Sequence, residues 1–353
     1  MILERYEDIA DDFSDSLILG NGASIALSNN FQYNSLYEIA SKEGFITDAV
    51  AEIFELFDTT DFEFVLSHLW YAREINSRLS IIESKTKASY ELIKKALINT
   101  ILKIHPKPSD VCSYFNNIAA FTMKFQKVFS LNYDLLLYWA MLRANEELNC
   151  NHFKDCFYHT NFSDDWHYYE EPRPPATTST LVFYPHGNLY LLEKLQGKTT
   201  VEQDKEYDEG EEIFGLTRRE LKIESDNQLL LDEIVDRWQV PGTMPLFVSE
   251  GTWKEKLASI NSSGYLSEIY YSALNEMGKN ITVFGWAIGD KDEHILKAIK
   301  RANVQSMAIS VHKPSTSDID QHTAHIRAKL KQAISDRLKT IFFDAESNGC
   351  WIN

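Results

Sequence analysis

The sequence predicts an α/β protein: a doubly wound parallel sheet with helices on both faces and a large helical insertion. Two observations predict it. Short runs rich in β-branched and aromatic residues recur along the chain, and helical periodicity follows most of them. Four of those runs end abruptly in glycine, proline or polar residues that a core would not take.

The first run, Ser16 to Leu19, leads into Gly20-Asn21-Gly22-Ala23-Ser24. Residues 32–126 then read as several helices separated by short polar breaks and the linker "HPKPSD" at 105–110. Phe62, Val65, Leu66, Leu69 and Trp70 fall at i, i+3, i+4, i+7 and i+8, the stripe of a helix packed on one side, and "SYELIKKALINTILKI" repeats the pattern. Strand signals return at "KVFSL" (127–131), "TLVFY" (180–184), "PLFVS" (245–249), "NITVF" (280–284) and "SMAISV" (306–311). Strand followed by helix, repeated, implies parallel pairing with both faces covered. The chain of 353 residues, 44% hydrophobic and 12% aromatic, suffices for a full core and is read as one domain over 1–353, with the insertion at 32–126.

Composition narrows the function classes. No apolar stretch approaches the roughly 20 residues needed to cross a bilayer, and the acidic start "MILERYEDIADDF" lacks a signal-peptide pattern, so a cytoplasmic protein without membrane contact is expected. Cys112, Cys150, Cys156 and Cys350 form no CxxC pair, which suits a reducing compartment. A net charge of −17 argues against nucleic acid as a direct ligand, because such affinity rests on basic residues displacing counterions. The densest charge run, "VEQDKEYDEGEE" at 201–212, is read as a solvated loop.

In a doubly wound sheet, the strand ends carrying polar residues would share one edge, where ligands bind at the reversal of strand order. Four segments qualify. Gly20 and Gly22 permit backbone amides to approach a pyrophosphate, although a plain strand-to-helix corner explains them equally well, and Ile25 stands where a third glycine would complete the dinucleotide pattern. Leu131 leads into Asn132-Tyr133-Asp134, where Asp134 reads most simply as the N-cap of "LLLYWAMLRA". His186, between Pro185 and Gly187, is expected to be partly exposed and to take up a proton near physiological pH. Phe284 leads into Gly285-Trp286-Ala287, with Asp292 expected to cap "EHILKAIKRA". Cys150, His152, Cys156 and His159 lack the spacing of a structural zinc site, and His322 and His325 read as a solvated helix face.

The ordered set, from GxGxS through "FSLNYDLLLYWA", "PHGNLYLL" and "PLFVSEG" to "VFGWAIGDKDEHILKAI", resembles the Rossmann-like sirtuin fold. It is most similar to the bacterial sirtuin-like NAD-cleaving proteins of antiviral defence. The resemblance spans about residues 16–345 and implies that Gly20, Asn21, Gly22, Ala23 and Ser24 would hold the NAD pyrophosphate. It further implies that Asn132 and Asp134 would face the nicotinamide ribose, that His186 would accept a proton, and that Gly285, Trp286 and Ala287 would flank the adenosine ribose. Asn21 and Ala287 depart from the family's usual small residue and hydroxyl residue. Deacetylating sirtuins carry a four-cysteine zinc module, whereas residues 188–244 here contain no cysteine; 194–240 is expected to supply an acidic loop and helical segment instead, with no metal.

The implied function is an NAD glycohydrolase that releases nicotinamide and leaves ADP-ribose, with NAD as substrate, acting as a regulated antiviral effector. Nicotinamide leaves from NAD as a neutral base, so a fixed water, an asparagine amide and a neutral histidine would suffice. The expected partners are a regulatory protein or nucleotide signal, within a homo- or hetero-oligomer. ADP-ribosyl transfer, cyclisation and non-catalytic NAD or ADP-ribose binding are the alternatives.

Overall fold

Strands that are covered on both faces need continuous apolar runs, and the runs of this chain form such strands. The computed structural model describes residues 3–32, 35–158, 161–194, 213–214, 229–238, 243–248, 251–313 and 318–353. Its strands are β1 (Ser16–Leu19), β2 (Lys127–Ser130), β3 (Phe153–Lys154), β4 (Phe157–Tyr158), β5 (Asn161–Phe162), β6 (Thr180–Phe183), β7 (Gly187–Lys194), β8 (Ile213–Phe214), β9 (Thr243–Phe247), β10 (Asn280–Phe284), β11 (Ser306–Val311) and β12 (Lys339–Asp344). Every residue of β1, β2 and β6 is buried, as are the last four of β10.

Seven strands make one wholly parallel sheet in the order β12-β11-β10-β1-β2-β6-β3. From β1 the chain builds outwards through β2 and β6, then returns to the other side of β1 for β10, β11 and β12. The order therefore reverses between β1 and β10, as in Rossmann-like sheets, and a crevice at the carboxyl ends of these two strands follows from the topology. Between β1 and β2 the chain is helical, including Leu36–Lys42, Asp48–Leu56, Phe62–Arg78, Lys85–Ile104 and Phe115–Thr122. Phe62, Val65, Leu66 and Trp70 are buried along one stripe, as their spacing predicts, with Leu69 at its partly buried margin.

Two features differ from expectation. A second, antiparallel sheet runs β4-β5-β8-β7-β9, and the run at 245–249 contributes β9 to it rather than to the parallel sheet. Only three residues separate β6 from β7, far fewer than a parallel crossover requires. Gly187, at φ +73°, turns the chain there, and a Cβ on it would sit 2.0 Å from the Leu246 carbonyl oxygen. The parallel sheet also gains β3 and β12, which the strand signals singled out above did not include.

The acidic run at 201–212 lies outside the described residues, and of 194–240 only Lys194, β8 and the helix Leu229–Trp238 are described. Among the described residues no helix is long and apolar enough to cross a membrane. The four cysteines are free thiols.

Candidate functional site

The loops after β1 and β10 interlock, and this explains the glycines. The Gly20 amide donates to the Phe284 carbonyl at 2.9 Å and the Gly22 amide to the Gly285 carbonyl at 2.7 Å. A Cβ on Gly20 would lie 2.5 Å from the Trp286 Cα, and one on Gly22 would lie 2.8 Å from the Gly285 Cα, so only glycine permits this approach. Gly285 itself adopts φ +68° and donates its amide to Ser310 Oγ at 3.0 Å. The Ala23 amide turns back to the Gly20 carbonyl at 2.9 Å, the Ala23 carbonyl accepts from Trp351 Nε1 at 2.8 Å, and Asn21 Nδ2 donates to the Phe31 carbonyl at 3.0 Å. The amides of Gly20, Gly22 and Ala23 are thus engaged within the protein.

Beside this turn, the end of β2 delivers a polar chain, half-buried at Asn132 and buried at Asp134. Asn132 Nδ2 donates to the Gly20 carbonyl at 3.0 Å and to Ser24 Oγ at 2.9 Å, and Ser24 Oγ donates in turn to Asp134 Oδ2. The other Asp134 oxygen accepts from the Leu136 amide at 2.9 Å, an Asx turn that leads into the helix Leu136–Glu147; Leu135, not Asp134 as expected, is the N-cap, because Asp134 sits one residue further out. Burial raises the Asp134 carboxyl against the lowering effect of the bonds from Ser24 and Leu136. Asn188 Nδ2 ties down the Asp134 carbonyl at 2.6 Å.

His186 occupies the β6–β7 turn and is almost wholly buried, not partly exposed, because β9 covers it: the Val248 amide donates to its carbonyl at 2.7 Å. Its Nε2 lies 2.8 Å from Nε2 of His294, a residue of the helix Glu293–Arg301 that stands out in the sequence only as part of a helical run. Burial, with the Lys256 charge and His294 adding to it, holds His186 well below the ordinary histidine range. Burial likewise lowers His294 to about 4, with the Asp292 carboxylate opposing. Both imidazoles are neutral at pH 7.

Asp292 precedes that helix but does not cap it with its side chain. Instead Oδ1 pairs with Lys256 Nζ at 2.9 Å and Oδ2 accepts from Trp286 Nε1 at 3.0 Å. Burial would raise this carboxyl; the His186 ring, the Lys256 ammonium and the hydrogen bonds from Lys256 and Trp286 together outweigh burial and lower it to about 2. Ligand atoms of His186, Asp292 and His294 lie within 4.8 Å of one another. Two nitrogens on one tetrahedral ion, at about 2.0–2.1 Å each, stand roughly 3.3 Å apart, and Lys256 already neutralises the carboxylate. The separation of 2.8 Å therefore fits a hydrogen-bonded imidazole pair.

A cleft of about 1320 Å³ opens at the reversal between β1 and β10. Of the residues the sequence singled out as NAD contacts, Gly22, Gly285, Trp286 and Ala287 line it. Ser310, Gln321 and Glu346 line it as well, and so do His322 and His325, exposed as expected for a solvated face. Asn132, Asp134 and His186 do not line it: Asn132 and Asp134 adjoin it through the Gly20 carbonyl and Ser24, and His186 stands behind Asp292, which accepts from the cleft residue Trp286. The Leu131 backbone, one residue before Asn132, is among the groups that act on the His186 ring. Of the other cysteine–histidine group, His152 bonds Thr180 Oγ1 at 3.1 Å, and His159 lies outside the described residues.

Strand order and cleft together define a Rossmann-like α/β protein. Residues 17–351 match the model of the family described as Domain of unknown function (DUF4917), and the chain belongs to that family. No curated protein matches the chain.

Proposed function

We propose that this protein cleaves the nicotinamide–ribose bond of NAD, releasing nicotinamide and ADP-ribose. The observation that carries the reading is the position of the cleft. It opens at the β1/β10 reversal, beside the polar chain of Asn132, Ser24 and Asp134 and the neutral His186. At about 1320 Å³ it exceeds the roughly 300–1,000 Å³ of sites for smaller ligands, which suits a dinucleotide. Gly285, Trp286 and Ala287 would border the adenosine half, and Asn132 and Asp134 the nicotinamide ribose. His186, neutral at pH 7, has a lone pair for a proton from water or a ribose hydroxyl, a contribution typically worth about 10²- to 10⁴-fold. Because the Gly20, Gly22 and Ala23 amides are internally bonded, the pyrophosphate would rest on the Gly22 surface of the turn rather than in a ring of free amides.

In the cell such an activity would need restraint, and we read the protein as a regulated cytoplasmic defence effector held by a partner protein, a nucleotide signal or self-assembly. Exposed Phe64, Tyr71, Ile75 and Leu79 along the helix Phe62–Arg78 and its C-terminal end make the helical block the candidate surface for that contact.

A second reading, NAD or ADP-ribose binding without cleavage, is favoured by the absence of Asn132 and His186 from the cleft lining. Product analysis separates the two, and also distinguishes hydrolysis from cyclisation or transfer. Incubation with NAD is expected to yield nicotinamide and ADP-ribose; calorimetric binding of NAD without nicotinamide release would favour the second reading.

A further inference from the structure

His294 is the buried imidazole that this reading leaves without a task. It is wholly buried in the first turn of its helix, and its carbonyl is anchored by the Tyr270 hydroxyl at 2.9 Å. Two imidazole nitrogens 2.8 Å apart must share one proton, since two lone pairs or two N–H groups would repel. The direction of that bond follows from the surroundings. The Leu131 amide is occupied by the Leu19 carbonyl at 2.9 Å, so the Leu131 group that favours a proton on the facing His186 nitrogen is its carbonyl oxygen. His186 Nε2 is engaged by His294, so the proton that this carbonyl favours sits on Nδ1 and leaves the lone pair on Nε2. His294 Nε2–H therefore donates, and its Nδ1 is a buried acceptor with no hydrogen-bond partner.

We infer that His294 is the positioning residue for His186: its Nε2–H selects the His186 tautomer, aims the lone pair, and covers that nitrogen until a substrate hydroxyl displaces it. The inference rests on the NAD-cleaving reading. In the step, a water or ribose O–H bond breaks, the proton forms an N–H bond at His186 Nε2, and the oxygen keeps its pair to attack the anomeric carbon. The bond to nicotinamide breaks with its pair going to the nicotinamide nitrogen, and the His186 proton returns to water as products leave. The charged groups around the pair are Lys256 from the helix Trp253–Ser262, Asp292 and Lys297; Tyr270 packs against His294 with ring centroids 6.1 Å apart.

The test uses two variants of the full chain. His294→Phe keeps an aromatic ring and removes the donor, whereas His294→Gln restores an N–H donor. His294→Phe is expected to lower kcat for nicotinamide release about 10- to 100-fold with KM within about threefold, and His294→Gln to recover most of it. Donation to Nε2 stabilises neutral His186, so losing it raises the His186 pKa; the acid limb of the rate profile moves to higher pH in His294→Phe and returns in His294→Gln. Long-range ¹H–¹⁵N spectra read the tautomer without turnover: Nδ1–H on His186 in the parent and in His294→Gln, mixed tautomers in His294→Phe. A parental kcat with an unmoved acid limb in His294→Phe, or an Nε2–H tautomer of His186 in the parent, overturns the inference. If the parent releases no nicotinamide, the NAD-cleaving reading fails by itself, and the spectra still decide: a His186 tautomer unchanged in His294→Phe overturns the positioning role.

Discussion

The two sides of the carboxyl edge are built in opposite ways. Where β10 and β11 end, the backbone of Gly285, Ala287 and Ser310 borders an open cleft. Where β2 and β6 end, half-buried Asn132 and buried Asp134 and His186 are bonded to one another, to Ser24 after β1 or to neighbouring loops. Open backbone suits binding, whereas a closed polar network fixes orientation and protonation state. Polar residues at a strand end thus mark the edge without saying which half binds and which half acts.

Changes at the seam between the halves should have the largest effect. Gly285→Ala would place a Cβ 2.3 Å from the Ala23 amide nitrogen at φ +68°, and a loss of at least about 4 kcal/mol in urea unfolding is expected. A loss under about 1 kcal/mol would show that the loops are not rigidly interlocked. Asp292→Asn strands the Lys256 ammonium, whose side chain is only 8% exposed, and should cost about 3 kcal/mol by the same measurement. An unchanged midpoint would mean that the pair is not closed.

Acid should weaken the closed side. His294 and His105 titrate at about 4 in the folded chain, against about 6.5 when unfolded, so the unfolded state binds protons first as pH falls. The stability they contribute is complete above about pH 6.5 and is lost progressively towards pH 4, roughly 2 kcal/mol per histidine by pH 5. His105 is locked neutral, with Nδ1–H on the Pro106 carbonyl at 2.9 Å and Nε2 accepting from the Leu135 amide at 3.0 Å. Equal urea midpoints at pH 7.5 and pH 5 would contradict this account. The smallest effect belongs to the open side: Ala287→Trp should leave the midpoint unchanged and raise KM for NAD about tenfold, about 1.4 kcal/mol. An unchanged KM would move the adenosine half elsewhere.

Much of the parallel sheet was legible because strands buried on both faces read as unbroken apolar runs, as at "SLIL" and "NITVF". The second sheet was not, because β4, β5 and β8 are two residues long, too short to show periodicity, and the pairing of β7 with β9 is set by the Gly187 turn. Gly20 and Gly22 were legible as special positions, but their cause, the approach of Gly285 and Trp286 from more than 260 residues away, is tertiary. The same holds for Asp292, whose position before a helix suggests a cap while Lys256 and Trp286 draw the carboxylate away. His294 carried one sequence signal, a histidine two residues after that aspartate in the first turn of a strand-end helix.

The most direct test measures nicotinamide release from NAD by the purified protein beside its Asn132→Ala and His186→Ala variants, with folding checked by circular dichroism. Turnover in the parent and a loss of at least about 10²-fold in each folded variant is the expected result. Variants that release nicotinamide at the parental rate would contradict the assignment of the site.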